Sequence, residues 1–255
     1  MRFARARHEG TVRWVRLEPD AAIPLVGAPW DGAVEGGERW PADPELLAPV
    51  APTKIVCVGR NYAAHARELG NEVPDEPLLF LKPPSALLAP GGTIRWPAAS
   101  ERIDYEGEVG VVVGRRLSGA SPAEAADGLF AITCANDVTA RDLQRRDGKF
   151  TRGKGFDGFC PVGPWLETDP PPLDRIAIET RVDGELRQRS TTARMVWPIA
   201  PLVAFMSGVM TLEPGDLILT GTPEGVGPLA AGQRVEVEVE GVGVLTHTLS
   251  ARPVP

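Results

Sequence analysis

The stretch Tyr105-Glu106-Gly107-Glu108-Val109-Gly110-Val111-Val112-Val113 decides how this chain is read. It ends in β-branched apolar residues, which predicts a buried strand. Side chains two apart on a strand share a face, so Glu106 and Glu108 point the same way at the entrance to an apolar strand. Two buried like charges repel, and each is costly to bury. A bound divalent cation removes both problems, and all-oxygen ligation favours Mg2+, Mn2+ or Ca2+ over zinc. A strand edge with both acids in water satisfies the same pattern.

Composition frames this strand. A chain of 255 residues suffices for one large domain, or one domain plus a small appendage. The 24% charged and 43% hydrophobic residues are those of a soluble globular protein. Net charge is −7, with no basic run and no basic patch interleaved with aromatics, so nucleic acid is not an expected partner. The 28 glycines and 26 prolines are spread without period and predict many tight turns between short strands. Cys57, Cys134 and Cys160 are odd in number, far apart and without a CxxC, which argues against a disulfide framework and a zinc site. The first residues, Met1 to Arg7, lack an apolar core, and no segment is apolar enough to span a membrane. The expectation is a reducing cytoplasm.

Working outward along the chain, residues 1–50 read as a small β domain built on Thr11–Leu17, with turns at Asp31-Gly32 and Gly36-Gly37. The Pro/Ala-rich segment 41–52 reads as a connector into a main domain, 54–255. There, strands are expected at 54–58, 78–82, 106–113, 129–137, 217–220 and 234–240, and as a hairpin, 176–182 with 185–189, around Asp183-Gly184. Short helices are expected at 62–69 with Asn61 as N-cap, after Ser121-Pro122, and at 199–210. Strands outnumber helices and no βα unit repeats, so the fold class is mainly β with short helices (α+β), not a doubly wound sheet.

Other polar groups stand at strand ends or between glycines. Asp137 ends an apolar run and is either a third carboxylate or a cap. Lys154 is framed by Gly153 and Gly155, which lets the backbone approach a ligand or makes a plain surface turn. The loop 220–228 is glycine-rich after a strand but lacks the lysine of a phosphate-binding loop. His65 and Glu68 are three apart on a predicted helix. A carboxylate beside an imidazole fixes its tautomer and raises its basicity, as a general base requires, and a surface pair would look the same. The other two histidines, His8 and His247, have no such company.

Taken together, six ordered blocks resemble the fumarylacetoacetate hydrolase family: 56–62 with His65 and Glu68, 79–85, 105–110, 135–144, 151–156 and 219–228. The resemblance runs from about residue 54 to the end. The first 50 residues match loosely, as the small N-terminal domain of the bacterial branch. The resemblance implies a mixed β-sandwich roll, a homodimer, and Mg2+ or Mn2+ on Glu106, Glu108 and Asp137. It implies a 2-oxo acid substrate whose enolate the metal stabilises, with Lys154 as a point charge at the same oxygen. His65 with Glu68 would handle the proton. Arg141 and Gln144 would contact the substrate's carboxylate or distal end, Thr222 would donate to the carboxylate, and Lys82 and Arg60 would reach the far end.

The family hosts acylpyruvate hydrolysis, decarboxylation of oxaloacetate-like acids and isomerisation of 2-hydroxy-diene dioates from aromatic catabolism. The compact length with a short N-terminal domain looks most like the 2-hydroxyhepta-2,4-diene-1,7-dioate isomerases, an analogy of architecture. A catalytically silent binder of metal and organic acid is the alternative of another class. It would need no general base.

Overall fold

The apolar run does form a strand, Gly107–Val113, buried along its whole length. It lies in the middle of a 12-stranded sheet, antiparallel to Leu129–Asn136 on one side and to Leu217–Leu219 on the other. Its two faces serve two cores. Val109 and Val111 join Ile132 and Cys134 on the face towards a second, five-stranded sheet, whose Ile178, Val235, Val237 and Leu245 complete that core. Val112 points the other way, with Ala131, Ala135, Leu217 and Leu219. This is why the sequence reads as a continuous apolar run rather than an alternating one. The computed structural model describes residues 1–253, and its two large stacked sheets, a small three-stranded sheet that includes Ile103–Tyr105, and short helices are the expected mainly β architecture.

Beyond Leu217–Leu219 the large sheet continues through a parallel strand, Ile55–Gly59, to an edge strand, Leu78–Lys82. At its other end Leu129–Asn136 pairs with Cys160–Glu167, and the N-terminal meander Arg2–His8, Thr11–Leu17 and Ala22–Val26 follows. The meander is stitched on through Arg2↔Glu167 and Phe3↔Leu166, and Trp14, Trp30 and Phe130 stack edge-on at the seam. The five-stranded sheet contains the hairpin Ala177–Val182 and Glu185–Thr191, then Arg234–Val239 and Gly243–Leu249. Its turn is Asp183-Gly184, both with positive φ (50° and 80°), the geometry a two-residue hairpin turn demands.

The helices are α1 (Ala63–Glu68), α2 (Pro122–Asp127), α3 (Arg141–Asp147), α4 (Phe150–Lys154) and α5 (Ile199–Val209). Ser121 and Glu124 close a reciprocal capping box on α2, with Pro122 at the first helical position. Asn61 does not cap α1; Tyr62 occupies that position without a side-chain bond. Asn61 instead ties three segments, donating to Thr220 O (2.8 Å) and Trp197 O (3.1 Å) and accepting from Trp197 N (2.8 Å). No described helix is long and apolar enough to cross a membrane.

Candidate active site

Strand register assembles the acidic group. Gly107 pairs with Asn136 and Glu108 with Ala135, so the start of one strand meets the end of the other. Asp137, one residue beyond, donates its backbone N–H to Glu106 O at 2.8 Å. Glu106, Glu108 and Asp137 thereby converge, with one carboxylate oxygen from each within 4.8 Å of the others and all three buried.

Cations surround two of the three acids. Lys154 is 3% exposed and spends all three ammonium protons: on Glu106 Oε2 (2.8 Å), on Thr139 Oγ1 (2.9 Å) and on Asp137 Oδ2. Lys82 approaches from beneath, donating to Asp137 Oδ1 at 2.5 Å and Val138 O at 3.3 Å. Arg141 donates to Asp104 Oδ2 (2.9 Å), Gln144 Oε1 (2.6 Å) and Glu106 Oε1. Burial pushes the Glu106 carboxyl up, but Lys154 and Arg141 overcome this and hold it well below the usual carboxylate range. Burial alone would depress Lys154; Asp137 and Glu106 keep it above its ordinary value.

Glu108 is the exception. Its hydrogen bond comes from Gly221 N (2.6 Å), and among the described residues no side-chain cation bonds it. Burial, then the charges of Asp137 and Glu106, push its carboxyl well above the usual range. A buried carboxylate in that state beside two others is what a hard dication relieves. The donor set is oxygen alone, so the residues fit Mg2+, Mn2+ or Ca2+. Cys57 and Cys160 are buried, and burial pushes the Cys160 thiol up to about 12, so neither is a thiolate competitor.

A cavity of about 330 Å3 opens over the triad. Of the expected site residues, Arg60, His65, Glu106, Glu108, Asp137, Arg141, Gln144, Lys154 and Thr222 line it, with Val58, Phe80 and Phe150 as apolar walls. His65 is 5% exposed; burial lowers its pKa, partly opposed by Glu106, so the imidazole is neutral at neutral pH. Glu68 is adjacent, but its carboxylate lies 3.7 Å from His65 Nδ1, beyond hydrogen-bond reach. Both its oxygens accept instead from Gly225 N at 3.1 Å, pinning α1 to the loop after Thr222.

Two further expected roles change. Lys82 does not line the cavity; it is 1% exposed under Asp137 and cannot reach the far end of a substrate. Thr222 gives its one hydroxyl proton to Gly107 O (2.9 Å) and accepts from Gln188 Nε2 (2.8 Å), so it supports the Glu106–Glu108 segment rather than offering a proton to a ligand. Four further residues went unread: Asp104, which holds Arg141, together with Asn136, Gln188 and Arg145. Arg145 lines the cavity mouth with Arg60, and among the described residues neither guanidinium has an acidic partner.

The family model described as fumarylacetoacetate (FAA) hydrolase C-terminal matches residues 54–250. The chain belongs to the fumarylacetoacetate hydrolase family. A second model, Rv2993c-like N-terminal, matches residues 1–49. The mitochondrial oxaloacetate tautomerase FAHD1 of Arabidopsis thaliana is 42% identical over 80% of this chain and 93% of its own. The mitochondrial oxaloacetate decarboxylase of Dictyostelium discoideum is 42% identical over 74% of this chain and 89% of its own. Among solved structures, 2-hydroxyhepta-2,4-diene-1,7-dioate isomerase from Mycobacterium marinum superposes with a TM-score of 0.92, at 38% identity over the whole of both chains. The chain is an enzyme of this family, whose relatives include isomerases, tautomerases and decarboxylases.

Proposed function

We propose that this chain is a divalent-metal-dependent isomerase that moves a proton between carbon and oxygen of a 2-oxo or 2-hydroxy-enoic dicarboxylic acid. The finer assignment is 2-hydroxyhepta-2,4-diene-1,7-dioate isomerisation, with keto–enol conversion of oxaloacetate as the same proton shift on a shorter acid. The observation that carries this reading is a buried, neutral imidazole, His65, sharing one small cavity with an oxygen-only acidic triad. Glu106, Glu108 and Asp137 would hold Mg2+ or Mn2+, which when bound supplies a Lewis acid for the 2-oxo oxygen.

The chain's own residues do the rest. His65 accepts the proton on Nε2, the nitrogen away from Glu68: taken from the substrate carbon it is delivered to the 2-oxygen to give the enol, and taken from the 2-hydroxyl it is delivered to carbon to give the 2-oxo acid. Its depressed pKa keeps that nitrogen free, as a general base needs. Glu68 supports the imidazole electrostatically and holds α1 to Gly225. Lys154 and Arg141 stabilise negative charge developing on the substrate oxygens without reorganising, since both are already fixed by buried acids. Phe80 and Phe150 exclude water from one wall. Arg60, in a left-handed backbone conformation (φ 60°), and Arg145 offer unpaired guanidinium groups at the mouth for the distal carboxylate. The homodimer implied by the resemblance belongs to this proposal and is read by sedimentation.

Decarboxylation, the activity named for the Dictyostelium relative, would use the same cradle but needs no base to open the reaction. A silent binder needs none either; His65 favours the proton shift over both. The deciding experiment mixes purified protein and Mg2+ with 2-hydroxyhepta-2,4-diene-1,7-dioate, oxaloacetate and an acylpyruvate, and follows ultraviolet absorbance with a chelator control. Chelator-sensitive isomerisation or tautomerisation is expected. Release of CO2 from oxaloacetate, or cleavage of the acylpyruvate, as the fastest reaction would overturn the isomerase reading.

A further inference from the structure

Glu106 and Gly107 contribute two consecutive backbone N–H groups at the junction between the strands Ile103–Tyr105 and Gly107–Val113. Side-chain carboxamides meet both. Asn136 Oδ1 accepts from Glu106 N at 2.8 Å, and Gln188 Oε1 accepts from Gly107 N at 3.0 Å. A carboxamide holds its oxygen in place only if its NH2 is also placed. Gln188 Nε2 donates to Thr222 Oγ1 (2.8 Å) and Pro223 O (2.9 Å). Asn136 Nδ2 lies 2.9 Å from Nε2 of His247. Gln188 and His247 both belong to the five-stranded sheet, and both are 1% exposed. That sheet presses directly on the junction: a Cβ at Gly107 would stand 2.0 Å from Thr180 Oγ1.

The chemistry of the His247 contact is one-sided. An amide NH2 only donates, so His247 Nε2 accepts and its proton sits on Nδ1, a buried atom with no partner among the described residues. This is the less common tautomer of a free imidazole, imposed here by a neighbour. Burial lowers the His247 pKa to about 3, so the acceptor persists through the working range.

We propose that His247 is a positioning residue for the metal centre. By accepting from Asn136 Nδ2 it fixes the carboxamide that grips Glu106 N, and so sets Glu106 against Glu108 and Asp137. This rests on reading those three acids as a metal site. It gives the second sheet a part in the chemistry: its strand Gly243–Leu249 carries no ligand but orients the segment that does.

Two measurements test it. The chain has only three histidines, so 15N spectra of the imidazoles resolve His247 directly. The expected result is a protonated Nδ1 and a bare Nε2, and an Nε2–H tautomer in the wild-type protein overturns the proposal without any variant. Mn2+ affinity, read from the paramagnetic resonance of free Mn2+, is then compared for wild type, His247→Leu and His247→Gln, with a melting midpoint for each. His247→Leu should bind Mn2+ measurably more weakly, by up to the ~10–100-fold that loss of a direct outer partner of a ligand costs, since His247 acts one bond further out, through Asn136. His247→Gln, whose Oε1 can accept from Asn136, should recover most of that loss. A folded His247→Leu with wild-type Mn2+ affinity refutes the positioning role alone. A wild-type protein that binds no Mn2+ refutes the metal reading itself.

Discussion

Replacing Glu108 with Gln should stabilise the protein without metal and abolish its response to metal. Glu108 is 2% exposed, with a single N–H donor and two carboxylates within 4.8 Å. At an effective dielectric of about 20, each such neighbour repels it by about 3.5 kcal/mol at that separation. Lys154 offsets part of this, leaving ~1–3 kcal/mol that an uncharged isostere would recover, in line with neutral replacements of buried ions. Gln keeps an oxygen for Gly221 N, and its NH2 faces acceptors on Asp137 and Glu106. For a chain of this size the gain is a rise of several degrees in Tm, at about 2–4 °C per kcal/mol. The pH dependence carries a sign. The folded-state pKa of Glu108 is raised, so the stability tied to its protonation is complete below the ordinary carboxylate value and lost as pH rises through the folded value. The variant's advantage should therefore be largest near pH 8 and fade towards pH 4. Wild type should gain about 2.7 kcal/mol from Mg2+ at a hundredfold excess over Kd, and the variant almost nothing. Calorimetric melts with chelator and with Mg2+ decide the matter. A Glu108→Gln protein that is destabilised in chelator and still shifts with Mg2+ would refute the reasoning.

His65→Asn should leave Mn2+ affinity intact and lower kcat by ~10²–10⁴, the range for a general base, and an unchanged kcat would remove His65 from the reaction. The acid limb of kcat/KM should lie below the ordinary imidazole value because burial depresses the His65 pKa, which a pH–rate profile checks. His247 is neutral and buried, so its stabilising share is present above its unfolded pKa and lost as pH falls towards about 3, at about 1.4 kcal/mol per pH unit. His247→Leu should flatten the acid slope of stability by about one proton, as seen in denaturant titrations between pH 6 and 4. Gly107→Ala should cost ~1–3 kcal/mol by overpacking against Thr180, and Thr180→Ala, which removes a buried hydroxyl with no partner, should restore part of it in a double-mutant cycle.

The sequence spoke most clearly where one local rule sufficed. Period-two spacing placed Glu106 and Glu108 on one side, Asp183-Gly184 set its hairpin, and Ser121-Pro122 opened α2. What stayed hidden depended on pairing between distant segments. Asp137 becomes a neighbour of Glu106 only through the register of Gly107 with Asn136, which no local pattern announces. Arg2–His8 buries only Ala4 and Ala6 among its arginines, too small a signal to mark a strand. Cys160–Glu167 carries two prolines and a glycine, which argue against a strand deep in a sheet. The helices α3 and α4 are short and polar, without an apolar period. Asn61 had the composition of a cap but the job of a bridge, and His247 sat in an alternating stretch with nothing to distinguish it from a core residue.

The parallel pairing of Ile55–Gly59 with Leu217–Leu219 has a kinetic consequence. The three acids lie on or immediately beside one antiparallel strand pair, formed by segments close in the chain. His65 reaches the cavity only after Asn61 has found Thr220, 159 residues downstream, and closing so long a loop is slow compared with local pairing. A protein diluted out of denaturant should therefore recover a first, weak grip on Mn2+ before its turnover, with full affinity waiting on His247 and Gly221 and the later rise in turnover timing the arrival of the base.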